Sequence, residues 1–285
     1  MSTSLLAPKA LLQAQRTITL PPTRTTPVRV FLADACGNTF LIVLGKSAEV
    51  EEAAAQIVRQ ADRWTFDSLL ALNFAPGGRV LMRVLEQDGS ESTMCGNGAR
   101  AVGRLLDRLG LERRVLLKDG TELTIGRTAD GLYSVPMGPV VNCGDLIPWV
   151  PGDWPRFRLY RACGEPHAVV FVPSVQDVDL DVWGWATVPR ANCTVVSRRP
   201  DGRVLARTFE RGVNRETRSC GTGATSAAQL VLDIESQWYG PVRPEEVVPV
   251  RMKGGTLRIR VVPGQGSFLE GPAEVGSAQI VTERR

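Results

Sequence analysis

The sequence lacks the features that would direct it to a membrane or to nucleic acid. No apolar stretch in its 285 residues approaches the roughly 20 residues that a membrane-spanning helix needs. The start, MSTSLLAPKALLQAQRTITL, has neither the apolar core nor the cleavage site of a secretory signal. The formal net charge is only +4, and no run of Lys and Arg marks a nucleic-acid surface. We therefore expect a cytoplasmic protein whose partners are neither membranes nor nucleic acids.

Histidine is also scarce, and closely spaced cysteines are absent. The chain has one histidine and six cysteines, and no two cysteines form a Cys-x-x-Cys pair. This spacing predicts neither a metal site nor a dense disulfide framework, so free thiols in a reducing compartment fit better. We interpret the cysteines that lie outside the repeated motif described below as buried apolar side chains: Cys36, Cys143, Cys163 and Cys193.

The first 27 residues lack acidic side chains and end near a Pro-Pro pair. We predict that residues 1–27 form a flexible amino-terminal extension. Organelle transit peptides share this composition, which leaves a transit peptide as the alternative.

The rest of the chain is rich in short β-type runs and poor in helical patterns. Its hydrophobic fraction of 43% and charged fraction of 22% suit a globular chain with ample core. The pattern predicts strands near residues 28–33, 40–44, 79–85, 115–118, 157–161, 168–172, 204–209, 247–252 and 257–262. It predicts helices at 51–63, 98–109 and 223–234, the last two largely buried because they are apolar nearly all round.

One short motif occurs twice, as Cys95-Gly96-Asn97-Gly98-Ala99 and as Cys220-Gly221-Thr222-Gly223-Ala224. Each copy directly precedes one of the two buried helices. The wide separation of the copies favours two similar half-molecules over a short-period repeat. We place the boundary near the Pro/Gly turn at residues 134–139, which gives halves of 28–136 and 137–274.

The motif has a chemical rationale. A helix start presents unpaired N–H groups and a partial positive charge, which bind an anion and lower the pKa of a cysteine placed there. Two such cysteines, Cys95 and Cys220, could flank one carbon and invert it by removing hydrogen on one face and returning it on the other. An amino-acid carboxylate would sit on the N–H groups of Gly96, Asn97, Gly221 and Thr222. Such a reaction requires no cofactor and no metal.

A single Cys-Gly-x-Gly is more often a buried thiol beside a turn than a catalytic group. The duplication before two buried helices favours the functional interpretation. At these residues the chain resembles the diaminopimelate epimerase family. The further matches are Asp88-Gly89-Ser90-Glu91, Met94 before the first motif and Arg100 after it, Glu210-Arg211-Gly212, Gly37-Asn38, Phe66-Asp67, Pro166-His167, Asn192 and Gly271-Pro272-Ala273.

The resemblance implies an α/β (α+β) fold of two pseudo-symmetric domains, each a mostly antiparallel sheet around a central helix, with the first domain completed by residues 275–285. It implies that Cys95 and Cys220 are the two bases and that no cofactor takes part. It assigns further substrate contacts to Asn38, His167, Asn192, Glu210 and Arg211. From the residues alone, His167 reads instead as a packed strand residue.

Two departures bear on the substrate. Glu86 and Glu165 stand where the family has neutral Asn near the far end of its substrate, and Ser68 replaces a usual Gln. Carboxylates there disfavour a distal carboxylate by about 1 to 4 kcal/mol per close pair. We therefore predict a racemase for a basic amino acid such as lysine, ornithine, arginine or histidine, or for a diamino acid. The alternative is that both glutamates pair with Arg211 or another arginine.

Three other functions stay open. The chain could be an ordinary diaminopimelate epimerase or a non-catalytic amino-acid-binding homologue. An isomerase of the proline-racemase or phenazine type fits less well, because the first motif has Asn97 where proline racemases usually have His and phenazine-type isomerases lack the two cysteines. The expected partner is a small amino-acid substrate, with a homodimer as a candidate assembly.

Overall fold

The computed structural model describes residues 28–61, 66–75, 78–149, 152–239, 245–277 and 279–280. The predicted extension of residues 1–27 lies outside this part of the chain. The described residues divide into two compact units, one of residues 28–133 with 272–280 and one of residues 134–271. No helix among them is long and apolar enough to cross a bilayer.

The first unit is one sheet with two helices. Its elements are β1 (Arg29–Ala35), β2 (Asn38–Gly45), α1 (Ser47–Arg59), β3 (Ser68–Phe74), β4 (Val80–Glu86), β5 (Glu91–Ser92), α2 (Gly96–Arg108), β6 (Arg114–Leu117), β7 (Glu122–Thr124), β8 (Gly126–Arg127), β19 (Glu274–Val275) and β20 (Gln279–Ile280). The strands of the sheet follow the order β19-β1-β2-β3-β4-β6-β7, with β20 beside β1 and β5 beside β4, and β8 is not part of this sheet. Most pairs are antiparallel, and β2–β3 and β4–β6 are parallel.

The second unit repeats this plan. Its elements are β9 (Tyr133–Gly138), β10 (Val141–Leu146), β11 (Phe157–Ala162), β12 (Glu165–Phe171), a 3-10 turn (Val175–Asp177), α3 (Leu180–Thr187), β13 (Asn192–Arg198), β14 (Val204–Glu210), β15 (Arg215–Glu216), α4 (Gly221–Tyr239), β16 (Glu246–Met252), β17 (Gly255–Val262) and β18 (Gly266–Gly271). The strands follow the order β10-β11-β12-β13-β14-β16-β17-β18-β9, with β15 beside β14, and β12–β13 and β14–β16 are parallel. The predicted α+β class with two sheet-rich halves is confirmed.

The nine predicted strands are present with shifted ends, but the sequence pattern missed the others, among them the central strands β3 and β13. Both strands are buried except at their last residue. Because each lies between two other strands and is covered on both faces, neither shows the alternation that the prediction sought. The first helix begins and ends about four residues earlier than predicted, at Ser47–Arg59. The two motif helices begin at Gly96 and Gly221, two residues earlier than predicted.

Two hairpins show why Cys-Gly occurs outside the motif as well. Cys36 and Gly37 have φ of 61° and 79°, and Cys163 and Gly164 have φ of 50° and 79°. Positive φ at both central residues of a two-residue loop is the geometry that matches strand twist in a hairpin. The interpretation of all four remaining cysteines as buried filler is therefore too simple, since two form turns and a third, Cys143, is exposed.

The hairpins also align the two units. Asn38 pairs with Ala35 at the start of β2, and Glu165 pairs with Ala162 at the start of β12. Asn38 and Glu165 thus occupy matching positions, each directly after a Cys-Gly turn. The helix α2 is buried along most of its length, as predicted, with Ala99, Ala101, Val102, Leu105 and Leu106 inaccessible to solvent.

Candidate active site

Cys95 caps the amino terminus of α2. Its backbone is extended, with φ of −129° and ψ of 109°, and its sulfur accepts a hydrogen bond from Gly98 N at 3.3 Å. The backbone N–H of Ala99 donates to Cys95 O at 2.8 Å. The thiol therefore occupies the place that a Ser or Asp side chain takes at an ordinary helix start, and it satisfies one of the unpaired N–H groups there.

Cys220 holds the same position on α4. Gly223 N donates to its sulfur at 3.3 Å, and Ala224 N donates to its carbonyl at 2.9 Å. Cys220 is buried, whereas Cys95 is partly exposed. The repeated motif is thus a repeated local structure, in which a cysteine Sγ accepts from the N–H of the third residue after it.

The second glycine of each motif is required by close packing. A Cβ at Gly223 would lie 2.5 Å from Thr208 Oγ1, and a Cβ at Gly98 would lie 3.0 Å from Leu70 Cδ2. Real Cβ atoms do not tolerate the shorter distance. Glycine therefore lets each helix start approach the neighbouring strand closely.

The environment of Cys220 contradicts one expectation. Burial raises the pKa of the Cys220 thiol well above its usual value, and the negative charge of Glu210 raises it further. Hydrogen bonds from Thr222 and Gly223 act in the opposite direction but are outweighed. The predicted lowering of the thiol pKa by the helix start is therefore wrong for Cys220, because desolvation of the thiolate is the larger effect.

In the first unit a chain of hydrogen bonds links the helix start to the sheet. Arg100 Nη2 donates to Asn97 Oδ1 at 2.6 Å, Asn97 Nδ2 donates to Asn38 Oδ1 at 3.3 Å, and Asn38 Nδ2 donates to Asp67 Oδ2 at 2.9 Å. A guanidinium can only donate and a carboxylate only accepts, so the two ends fix the orientation of both amides. The structure thus brings the predicted residues Asn38 and Asn97 together.

Arg100 is completely buried and gives the first unit an internal cation. Its Nη1 donates to Pro272 O at 2.8 Å, and its Nε is buried without a hydrogen-bond partner. Its charge acts on Cys36, Cys95 and Asp34, while burial lowers the pKa of Arg100. The sequence displayed Arg100 within the motif, but nothing in the pattern showed that it would be internal.

The second unit places His167 at the centre of its polar network. Arg211 N donates to Asn192 Oδ1 at 2.9 Å, so the amide nitrogen of Asn192 faces His167 Nε2 at 3.2 Å. Nε2 therefore accepts, and the ring proton lies on Nδ1, which is 3.0 Å from Thr194 Oγ1. Burial, and secondarily the charge of Arg211, lowers the pKa of His167 to about 3. The ring is neutral near pH 7.

His167 is linked to Cys220 through one hydroxyl. Thr222 Oγ1 lies 2.9 Å from His167 Nε2 and 3.4 Å from Cys220 Sγ. The expectation from the residues alone, that His167 is a packed strand residue, holds for its burial. Its contacts nevertheless join it to Asn192 and Thr222, two other residues that the sequence had selected.

The two unusual glutamates have different partners. Arg211 Nη2 lies 3.1 Å from Glu165 Oε2, in an ion pair whose two side chains are 38% and 46% exposed. Glu86 accepts from Ser68 Oγ at 2.9 Å and from Ser92 Oγ at 2.8 Å. Among the described residues Glu86 has no ion pair, so the alternative of pairing with arginine holds for Glu165 only.

Sequence reasoning missed several side chains that support this site. They are polar residues inside strands or just before the motif cysteines: Ser92, Thr194, Thr208 and Thr217. In the sequence, each of them is visible only as a polar residue within an apolar stretch or close to a motif cysteine. Within the described part of the chain, no three His, Cys, Asp or Glu side chains are grouped as metal ligands would be.

The chain is similar in sequence to proteins named diaminopimelate epimerase. The chain is 34% identical to a diaminopimelate epimerase of Rhizorhabdus wittichii, over 86% of this chain and 92% of that protein. It is 31% identical to a diaminopimelate epimerase of Sphingopyxis alaskensis, over 83% and 91%. No model of a protein family matches the chain.

Solved structures share the fold at lower sequence identity. A phenazine biosynthesis protein of the PhzF family from Bacillus anthracis has a TM-score of 0.68 at 16% identity, covering 90% of this chain and 100% of that chain. A hydroxyproline epimerase from Agrobacterium vitis has a TM-score of 0.62 at 15% identity, covering 91% and 92%. Sequence identity over most of its length, together with the duplicated cysteine caps, shows that the chain belongs to the diaminopimelate epimerase family of isomerases.

Proposed function

We propose that this isomerase inverts the α-carbon of an amino acid with Cys95 and Cys220 as its two acid–base groups. The observation that carries the proposal is the matched geometry of the two sulfurs. Each caps a buried helix and accepts from a backbone N–H at 3.3 Å. Two thiols held in equivalent ways by two similar units suit a reaction that has the same chemistry in both directions.

The helix starts supply the binding site for the reacting carboxylate. Gly96 and Asn97 begin α2, and Gly221 and Thr222 begin α4. The first N–H groups of a helix have no acceptor within it, and the helix end carries about half a positive charge. These groups would hold the carboxylate and stabilise the negative charge that develops when the α-hydrogen leaves.

Proton transfer needs one sulfur as thiolate and the other as thiol. The thiolate takes the α-hydrogen, forming an S–H bond as the C–H bond breaks. The thiol on the opposite face gives its hydrogen to the carbon, and the pair ends with its charge exchanged. Burial and Glu210 hold Cys220 in its thiol form, which suits the donor role in one direction.

The charges around the site support a substrate with a cationic side chain. Arg211 neutralises Glu165, so Glu165 does not add a net negative charge. Glu86 has no such cation, and its carboxylate would repel a second substrate carboxylate. We therefore propose lysine, ornithine, arginine, histidine or a diamino acid. Diaminopimelate is the second candidate, because the relatives of 31% and 34% identity are named as its epimerases.

The test is incubation with each amino acid in deuterated water, followed by mass spectrometry of the α-position and chiral chromatography. We expect label and inversion with at least one basic amino acid, and slower turnover of LL-diaminopimelate. Faster turnover of diaminopimelate would overturn the substrate proposal and leave the reaction intact. No label with any amino acid would support the non-catalytic binding homologue instead.

A further inference from the structure

The internal repeat extends well beyond the cysteine motif. Glu86 is the last residue of β4, and Glu210 is the last residue of β14. Each of these strands turns into a two-residue strand that pairs back on it, β5 in the first unit and β15 in the second. Each of these short strands leads directly to a motif cysteine. Glu86 and Glu210 therefore occupy matching positions in the two units.

The side-chain contacts repeat with the backbone. Ser92 Oγ donates to Glu86 Oε1 at 2.8 Å, and Thr217 Oγ1 donates to Glu210 Oε1. Ser92 and Thr217 each stand three residues before the cysteine of their unit. The hydroxyl that holds the carboxylate is thus the same distance along the chain from the thiol in both units.

An ion pair on the same strands repeats as well. Arg83 Nε lies 2.8 Å from Glu91 Oε1, and Arg207 Nε lies 3.1 Å from Glu216 Oε1. Each arginine stands three residues before the matching glutamate of its strand. Both units therefore contain Arg-x-x-Glu, a turn, and Glu-Ser/Thr-x-x-Cys, and the second turn has one extra residue.

The effect of Glu210 on Cys220 shows what this arrangement does. The negative charge of Glu210 acts on the Cys220 thiol and favours its protonated form. We infer that Glu86 is the proton-exchange partner of Cys95, as its position matches that of Glu210 beside Cys220. The inference rests on the proposed function, because it assigns Glu86 a part in the same reaction. The inference goes beyond the proposed preference for a cationic side chain, because Glu86 would then take part in proton transfer with every substrate.

The step is a proton transfer between sulfur and oxygen. The Glu86 carboxylate takes the proton of the Cys95 thiol, so that the S–H bond breaks and an O–H bond forms. The thiolate then removes the α-hydrogen, and the proton on Glu86 returns when Cys95 acts as the donor. Atoms and charge balance without a further reactant, and a positioned group of this kind contributes typically 10² to 10⁴ in rate.

One feature distinguishes the two carboxylates. The first residue of β3 is Ser68, which donates to Glu86 Oε2 at 2.9 Å, whereas the first residue of β13 is Asn192, which contacts His167 and Arg211 instead. Both oxygens of Glu86 are therefore held by hydroxyls. Ser68 and Ser92 act as positioning residues for Glu86.

The experiment compares Glu86→Gln with Glu210→Gln on two substrates, lysine and norleucine. Norleucine has the same chain without the distal ammonium, so it separates acid–base chemistry from charge recognition. We expect Glu86→Gln and Glu210→Gln each to lower kcat by about a hundredfold on both substrates. Glu112→Gln removes an exposed carboxylate of the first unit and should leave both rates unchanged.

Other outcomes would contradict either this inference or the proposed function, and they can be told apart. If Glu86→Gln raises only the KM for lysine and leaves norleucine turnover unchanged, Glu86 is a charge-recognition residue and the inference is overturned. If the unaltered protein exchanges no α-hydrogen at all, the proposed function fails. If the unaltered protein is active and Glu86→Gln has a normal kcat, the inference is wrong and the proposed function stands.

Ser92 gives a second test should Glu86→Gln fold poorly, as judged by circular dichroism. We expect Ser92→Ala to lower kcat about threefold to tenfold on both substrates, because Glu86 loses one of its two hydroxyl partners. Ser92→Thr should restore the rate, since threonine serves the same purpose at position 217. Equal rates for Ser92→Ala and the unaltered protein would count against the positioning role.

Discussion

The two cysteine caps share a backbone but differ in their charged surroundings. In the first unit, the residue five positions after Cys95 is the fully buried Arg100, whose charge acts on the partly exposed thiol. In the second unit the matching residue is Thr225, which bonds back to Gly221 O at 2.8 Å. The buried thiol there faces the negative charge of Glu210 without an equivalent internal cation among the described residues.

The two helix starts therefore share their hydrogen-bond geometry and differ in their electrostatic surroundings. Burial beside the negative charge of Glu210 favours the thiol form of Cys220. An inversion needs one thiol and one thiolate at any moment. The two helix starts are therefore alike in backbone geometry and differ in the buried cation, which is present in the first unit only among the described residues.

The largest effect is expected at the cysteines themselves. Cys95→Ala and Cys220→Ala should each lower inversion by at least a thousandfold, because either direction needs one sulfur as base and the other as acid. Chiral chromatography measures the loss, and circular dichroism serves as the folding control. Residual inversion near the normal rate in either variant would show that the two caps are not equivalent in function.

Acidification should destabilise the second unit through His167. Its pKa is lowered to about 3 in the folded state, against about 6.5 when unfolded. The unfolded chain therefore binds more protons between these values, and stability is lost as pH falls from about 6.5 toward 3. Each pKa unit corresponds to about 1.4 kcal/mol, so the contribution is several kcal/mol. Urea unfolding of His167→Gln should show a flatter dependence on pH than the unaltered protein, and parallel curves would contradict this assignment.

Removing the buried cation should weaken the first unit. Arg100→Met leaves Asn97 Oδ1 and Pro272 O without their donor. An unsatisfied buried acceptor costs about 1 to 3 kcal/mol, partly offset because a charge is no longer buried. The free energy of unfolding in urea measures the loss. Arg104→Met, one turn further along α2 and exposed, is the matched control and should change it little.

The smallest expected effect is the difference in stability between alanine variants at Gly98 and Gly223, the second glycines of the two motifs. Gly223→Ala should destabilise by about 1 to 3 kcal/mol, because its Cβ would meet Thr208 Oγ1 at 2.5 Å. Gly98→Ala should cost less, since its nearest neighbour is the end of the Leu70 side chain at 3.0 Å. Thermal unfolding of both variants ranks them. A larger loss for Gly98→Ala would reverse the comparison of the two helix starts.

Much of the site could be predicted because it is local. The Cys-Gly-x-Gly motif before an apolar helix predicts the helix start by itself, because the cap hydrogen bond joins the cysteine to the third residue after it. The strands β3 and β13 escaped prediction because burial on both faces removes the alternation of polar and apolar residues. Ser68 and Asn192 begin these two strands, so their contacts with Glu86 and His167 could not be foreseen.

The partners of the two unusual glutamates also depend on the tertiary structure. The sequence identified Glu86 and Glu165 as departures, and it left open whether arginines would neutralise them. The fold pairs Glu165 with Arg211 and gives Glu86 two serines. Local sequence does not decide between these outcomes, because Arg211 is 46 residues from Glu165 and Ser68 is 18 residues from Glu86.

The sequence by itself determined that two cysteines would each cap a buried helix, because a helix start is specified within a few residues of chain. Only the tertiary structure decided the protonation and orientation of the groups around them. The tautomer of His167, the internal position of Arg100 and the partners of Glu86 depend on burial and on contacts between segments far apart in the chain. Desolvation and charge act through space, and folding alone fixes those distances.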